Sequence, residues 1–190
     1  MNWDVIFGAA DTQTTAVGYY NKFFESEKIE ENFIKLRASK EKMINDIVVD
    51  TPDEKINYIV NNWVKQQMIL CAETGRATGK GFRNQLRDYW AVAAFDPNLA
   101  KGKIIETLKF QYSDGECVRG WLQLDHHNYS DRPTWIAPTI NAYIKETGDV
   151  DFLNIIVPYL DKGEDTVWEH IQTGLFITHD KQPSFCARII

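Results

Sequence analysis

From Thr51 onward the chain is punctuated by helix start and stop signals, and no run between them alternates polar and apolar residues over a useful length. That pairing of features restricts the chain to a helical fold. Thr51-Pro52-Asp53-Glu54 carries a full start signal, with Thr51 as the cap, Pro52 in the first turn and Glu54 placed to close a capping box. Ile56, Ile59, Val60, Trp63, Val64 and Met68 then recur at helical spacing, which predicts one long helix with a buried stripe running to a glycine-containing loop at 74–81. Trp63 reads as core on this pattern. A second helix is expected over 85–95, and Asp96-Pro97 starts a third that runs toward Ser113-Asp114-Gly115. Another begins near Pro133 and stops at Thr147-Gly148, Asp149 caps the next, and 167–177 forms one more. The apolar run 155–157 is too brief to imply a sheet. The expected class is mainly α, built of helical hairpins joined by polar loops.

Residues 12–47 show helical content with mixed charge around Phe33, Ile34, Leu36, Met43 and Ile44, a pattern that reads as a solvated face. Before them, 5–10 reads as a short strand. With 21 Lys and Arg against 27 Asp and Glu, the net charge of -6 gives no general attraction for nucleic acid or an anionic membrane surface. No stretch is long and apolar enough to span a bilayer, and Met-Asn-Trp-Asp-Val lacks the opening of a secretory signal, so the chain reads as cytoplasmic. Cys71, Cys117 and Cys186 are odd in number and have no CxxC spacing, which argues against a disulfide framework and a zinc site.

The chemistry-bearing residues collect in two places. Tyr129-Ser130-Asp131-Arg132-Pro133-Thr134-Trp135 sets a carboxyl beside aromatic rings. Such a carboxyl would be partly desolvated, which favours the neutral acid that can protonate a glycosidic oxygen, a poor leaving group without that proton. The same Asp131 could equally cap the helix near Pro133. The other place is the loop around Gly75, Gly79 and Gly81, which brings Arg76, Arg83 and Asp88 together. An Arg fork and an Asp can hold sugar hydroxyls, or Arg83 and Asp88 can form an ion pair with each other. Its glycines do not match a phosphate-binding loop, since Gly81 stands where Ser or Thr is needed and no strand precedes it. Asp125-His126-His127 reads as hydrogen-bonded or surface histidines, because adjacent side chains diverge and no second ligand cluster follows. Trp90, Trp121, Tyr129 and Trp135 lie near the polar loops, where an aromatic face can stack on a sugar ring.

The ordered set Thr51-Pro52-Asp53, Asn62-Trp63, Gly81-Phe82-Arg83 through Asp88, Asp96-Pro97, Gln111 through Gly115, Ser130-Asp131 through Trp135, and Tyr143 through Asp149 resembles the inverting phosphorylases of glycoside hydrolase family 94. These are the cellobiose, chitobiose and 1,2-beta-oligoglucan phosphorylases, with the cyclic beta-1,2-glucan synthases. The resemblance implies an incomplete (α/α)6 barrel over 49–190, a helical linker over 11–48 and the end of a β-sandwich over 1–10. It places the general acid on Asp131, sugar-holding groups on Arg83 and Asp88, and a donor-side aromatic on Tyr129. Arg76 and Trp135 complete the candidate substrate-binding set.

The implied reaction is attack of inorganic phosphate on a β-linked glucoside or oligosaccharide to give an α sugar 1-phosphate, with phosphate as co-substrate and no cofactor. One acid suffices, whereas a hydrolase needs a base as well. A hydrolase on the same barrel, or a non-catalytic carbohydrate-binding helical domain, is the alternative. The sequence departs from the pattern at Asn84, where an Asp often follows the Arg, and at Arg132, which replaces a second acid. Arg119 and Trp121 occupy a region that often carries His and Trp. The chain stops short of the expected phosphate-binding residues, which implies a partial catalytic domain that self-associates or binds the rest of its parent.

Overall fold

The computed structural model describes residues 9–24, 26–76, 80–127 and 131–181. Contacts divide the chain into two units, Met1–Val48 and Val49–Ile190. The first holds α1 (Gln13–Phe23) and α2 (Ser26–Asp46). Thr12 caps α1 by accepting from the Thr15 amide at 3.2 Å. Phe33, Ile34 and Leu36 on α2 are exposed, and so is the Lys35–Glu31 ion pair. The strand expected over 5–10 falls mostly outside the described residues; Ala9 and Ala10 are not in a strand.

The second unit contains α3 (Glu54–Tyr58), a π-helical turn (Ile59–Val64), α4 (Lys65–Thr74), α5 (Phe82–Val92) and α6 (Pro97–Leu108). A 3-10 turn (Pro133–Trp135) leads into α7 (Ile136–Thr147), and a second (Val150–Asn154) leads to β1 (Ile156–Pro158), β2 (Glu164–Thr166) and α8 (Val167–Lys181). Among the described residues the chain is therefore mainly helical, with one two-stranded sheet.

The start of α3 differs from the sequence expectation. Asp53 is the cap, accepting from the Lys55 and Ile56 amides at 2.8 and 3.3 Å, so Thr51 and Pro52 lie outside the helix. Thr51 is instead held by Asn57, whose side-chain oxygen accepts from both its amide and its hydroxyl at 2.8 Å. Asn61, one turn later, accepts from the Val49 amide through Oδ1 and donates from Nδ2 to the Val49 carbonyl, each at 2.8 Å. The long helix is also interrupted, and the wider π turn rotates its two halves relative to each other. Met68 packs on the core, but Ile56, Ile59 and Trp63 are exposed, Trp63 at 57%. The expected buried stripe is thus split.

α5 is the central helix and packs against α4, α6 and α7. Phe82, Leu86, Tyr89 and Val92 bury one face of it, and each such side chain contributes about 1.5–3 kcal/mol by leaving water. It begins at Phe82, three residues earlier than its sequence pattern implies. On α7, the Thr139 hydroxyl donates to Leu86 O at 3.1 Å and fixes that helix against α5. α6 starts as predicted, with Asp96 accepting from the Leu99 amide at 3.0 Å. α7 ends as predicted at Gly148, whose φ of 70° is the left-handed conformation that closes a helix at little cost only in glycine. Asp149 stands at the cap position of the next turn as predicted, and its carboxylate is turned to Lys101 and the Tyr143 hydroxyl, from which it accepts at 2.7 Å each.

The run 155–157 does enter a strand. β1 pairs antiparallel with β2 in the register Ile156↔Thr166, Val157↔Asp165, Pro158↔Glu164, with Val157 buried between exposed neighbours. Cys71 and Cys117 are free thiols, and burial pushes the Cys117 thiol up from its ordinary range. No helix among the described residues is long and apolar enough to cross a membrane.

Candidate active site

The start of α5 is fixed by a backbone strap from a distant loop. The Phe82 amide donates to Arg119 O at 3.0 Å, the Trp121 amide donates to Lys80 O at 3.1 Å, and Gly81 bridges Gly120. A Cβ on Gly120 would lie 2.7 Å from Lys80 O, so only glycine allows this approach. Trp121 stacks on Phe110 at 4.7 Å and meets the edge of buried Phe82 at 6.5 Å.

Held by this strap, Arg83 in the first turn of α5 donates from Nη1 to Asp131 Oδ2 at 2.7 Å. Asp131 enters the 3-10 turn at Pro133, and its own backbone oxygen accepts from the Thr134 hydroxyl at 2.5 Å. Its side chain is 40% exposed. The Arg83 guanidinium is its partner, and Tyr129, one of the two aromatic rings expected beside it, lies outside the described residues. Trp135 packs elsewhere, with the Arg87 guanidinium 5.3 Å from its ring centre and Trp90 at 6.4 Å.

The alternative ion pair between Arg83 and Asp88 does not form. Asp88 is 5% exposed and is held by Arg76, whose Nε reaches the two carboxylate oxygens at 2.9 and 3.2 Å and whose Nη2 also donates to Oδ1. Hydrogen bonding to Asp88 raises the Arg76 pKa. Helix phase explains the exchange of partners. Five residues along a helix turn a side chain by about 140°, so Arg83 faces the loop bearing Asp131 while Asp88 faces inward. Beneath the pair, Gln85 donates to Cys71 O at 3.0 Å and accepts from the Tyr89 hydroxyl at 2.8 Å. Burial raises the Tyr89 pKa.

Tyr129 lies outside the described residues. His126 and His127 are hydrogen-bonded, as their sequence setting implies. His126 Nδ1 meets the Tyr112 hydroxyl at 2.5 Å, and His127 Nδ1 meets Asp125 Oδ1 at 2.7 Å. Hydrogen bonds from the His127 amide and ring, with the Arg119 charge, hold the Asp125 carboxyl at about 2. No cluster among the described residues has the makeup of a metal site. Arg132 is only 2% exposed, and desolvation lowers its pKa against the raising influence of Cys117, Glu116, Asp131 and Asp125.

Sequence reasoning missed Arg87, which lies one turn beyond Arg83 on the same helix face. Had α5 been begun at Phe82, that spacing would have found it. The arrangement presents a half-exposed arginine fork on a half-exposed carboxyl, and further along the same helix a buried Asp held by Arg76. An incoming hydroxyl or glycosidic oxygen would meet both a donor and a carboxyl there.

Comparison with known proteins bears on the family of the chain as a whole. The family described as "Glycosyl hydrolase 94 superfamily, catalytic domain" matches residues 40–186. The chain is 59% identical over 175 residues to the solabiose phosphorylase of Paenibacillus borealis, covering 92% of this chain and 23% of that protein. It is 22% identical over 192 residues to the N,N'-diacetylchitobiose phosphorylase of Vibrio furnissii, covering 81% and 24% respectively. With the cyclic beta-(1,2)-glucan synthase NdvB of Rhizobium meliloti (strain 1021) it shares 31% over 124 residues, 60% of this chain and 4% of the synthase. The chain thus spans about a quarter of the length of the phosphorylases it matches. With the family matched from 40 to 186 and the Arg83–Asp131 ion pair built on its central helix, the chain belongs to the glycosyl hydrolase 94 superfamily, within its catalytic domain.

Proposed function

We propose that the protein carrying this chain is an inverting phosphorylase of a β-linked gluco-disaccharide or oligosaccharide, and that this chain supplies the acid-bearing part of an (α/α)6 barrel. The observation that carries the reading is the half-exposed Arg83–Asp131 ion pair at 2.7 Å, in a chain 59% identical to a solabiose phosphorylase. Asp131 gives its proton to the glycosidic oxygen as the bond from that oxygen to the anomeric carbon breaks. A phosphate oxygen forms the new bond from the opposite face, giving an α sugar 1-phosphate and a free sugar. Phosphate is itself the nucleophile, so no second carboxylate is needed to activate water. Arg83 holds the sugar and places Asp131, while the Arg76–Asp88 pair keeps the inner wall rigid. Inorganic phosphate is a co-substrate, and the reaction asks for no cofactor. The free thiols Cys71 and Cys117 suit a reducing compartment such as the cytoplasm. The exposed stripe of Ile56, Ile59 and Trp63 favours association with a further part of the protein or a second copy.

Solabiose is the first substrate to test. Release of sugar 1-phosphate that depends on added phosphate supports the proposal, and release of two free sugars without phosphate contradicts it.

A further inference from the structure

Bonded to the start of α5 and preceding Asp131 in the chain, residues 119–127 form a tight hairpin to which the phosphorylase reading gives no task. The Arg119 amide donates to Asp125 O at 2.6 Å and the Asp125 amide to Gly120 O at 3.0 Å, which closes the turn 121–124. The hairpin adjoins the acid from both directions along the chain. Arg119 O holds the amide next to Arg83, and His127 lies four residues before Asp131. Gln123, Leu124, Asp125, His126 and His127 line an open surface depression of about 650 Å³.

We propose that this hairpin is the subsite for the departing sugar, a neutral hexose whose hydroxyls His126 and His127 read. This rests on the phosphorylase reading and deepens it. Nδ1 of His126 lies on the Tyr112 hydroxyl, so its Nε2 donates to or accepts from a hydroxyl according to tautomer, whereas Nδ1 of His127 donates to the Asp125 carboxylate and the neutral ring presents Nε2 as an acceptor. The His127 side chain is 78% exposed and so accessible to a ligand. Asp125 takes the Arg119 guanidinium at 3.0 Å, so the carboxylate and guanidinium of the hairpin offset each other and an anionic sugar gains no cation. An open depression at the surface suits the ring that leaves, whereas the ring under attack must stay fixed for phosphate to approach.

The reverse reaction separates the two rings, because a sugar 1-phosphate is the donor and a free hexose the acceptor. His126→Ala and His127→Ala are made in the protein carrying this chain, with melting temperature measured alongside. The expected result is a KM for the hexose acceptor raised about tenfold, the size of one lost hydrogen bond, with the KM for sugar 1-phosphate within about twofold of wild type. His127→Gln, which keeps a donor and an acceptor, should restore acceptor KM to within about threefold. A raised donor KM, no change in either KM, or glucuronate accepted as well as glucose overturns the subsite. A wild-type protein with no phosphate-dependent turnover in either direction overturns the phosphorylase reading and the subsite with it.

Discussion

Arg83 and Asp131 are 48 residues apart in the chain and meet at 2.7 Å, each a little under half exposed. The contact joins the first turn of the central helix to the loop that opens α7. It depends on the strap that pins Gly81 and Phe82 to Arg119 and Gly120. The two arginines of the glycine loop consequently take different tasks. Arg83 reaches the half-exposed Asp131, and Arg76, itself 46% exposed, reaches the buried Asp88.

That division predicts opposite outcomes for two substitutions. Asp88→Ala removes a buried acceptor from Arg76 and should lower stability by about 1–2 kcal/mol. Arg83→Ala removes only a half-exposed ion pair and should cost less than about 1 kcal/mol, yet weaken sugar binding. Denaturant melts and calorimetric titration of both variants check this. Equal stability loss in the two would contradict the assignment.

Much of this was legible in the sequence where the signal is local. Asp96-Pro97 starts α6 and Gly148 ends α7 because a cap or a left-handed glycine needs only its neighbours. The start of α5 was not legible, since it is set by a loop 37 residues away, Arg119 against Phe82, through backbone bonds that leave no side-chain pattern. Thr51 and Asp53 are both competent caps, and the Asn57 bonds that draw Thr51 aside decide between them. Trp63 looked like core because its spacing is helical, but the π turn breaks the phase of that spacing. Asp131, Arg83, Asp88 and Arg76 were all named from sequence. Their pairing was not, because it depends on helix phase and on where a distant loop returns.

Gly120→Ala tests the strap. Its Cβ would meet backbone at 2.7 Å, and relieving a clash of that kind costs about 1–3 kcal/mol. A lowered melting temperature together with reduced turnover is expected. Wild-type values for both would show that the strap does not position Arg83.

His170 gives a pH dependence. It is fully buried, with Nδ1 2.6 Å from Gln111 Oε1 and Nε2 3.0 Å from Val157 O, and burial lowers its pKa. The unfolded chain therefore binds this proton more readily than the folded one. Its contribution to stability is present above an unfolded pKa of about 6.5 and is lost as pH falls from there toward the lower folded value. Melts between pH 7.5 and 5 should show wild type losing stability relative to His170→Gln as acid is added. Parallel curves would show that His170 does not titrate differently on folding.

Expressed alone, the 190-residue chain should self-associate through the exposed Ile56, Ile59 and Trp63 stripe. Light scattering should report a particle larger than a monomer, and Trp63→Glu should shrink it. A monomer before that substitution contradicts the expectation.

The central claim is that Asp131 is the proton donor of a phosphorolysis. The direct measurement is phosphate-dependent release of sugar 1-phosphate from solabiose by the protein carrying this chain, wild type against Asp131→Asn. Loss of the transferable proton should cut turnover by about a hundredfold to ten-thousandfold. Stability should change by less than about 1 kcal/mol, the scale of an exposed ion pair. Near-wild-type turnover of an unactivated β-glucoside by Asp131→Asn would contradict the account.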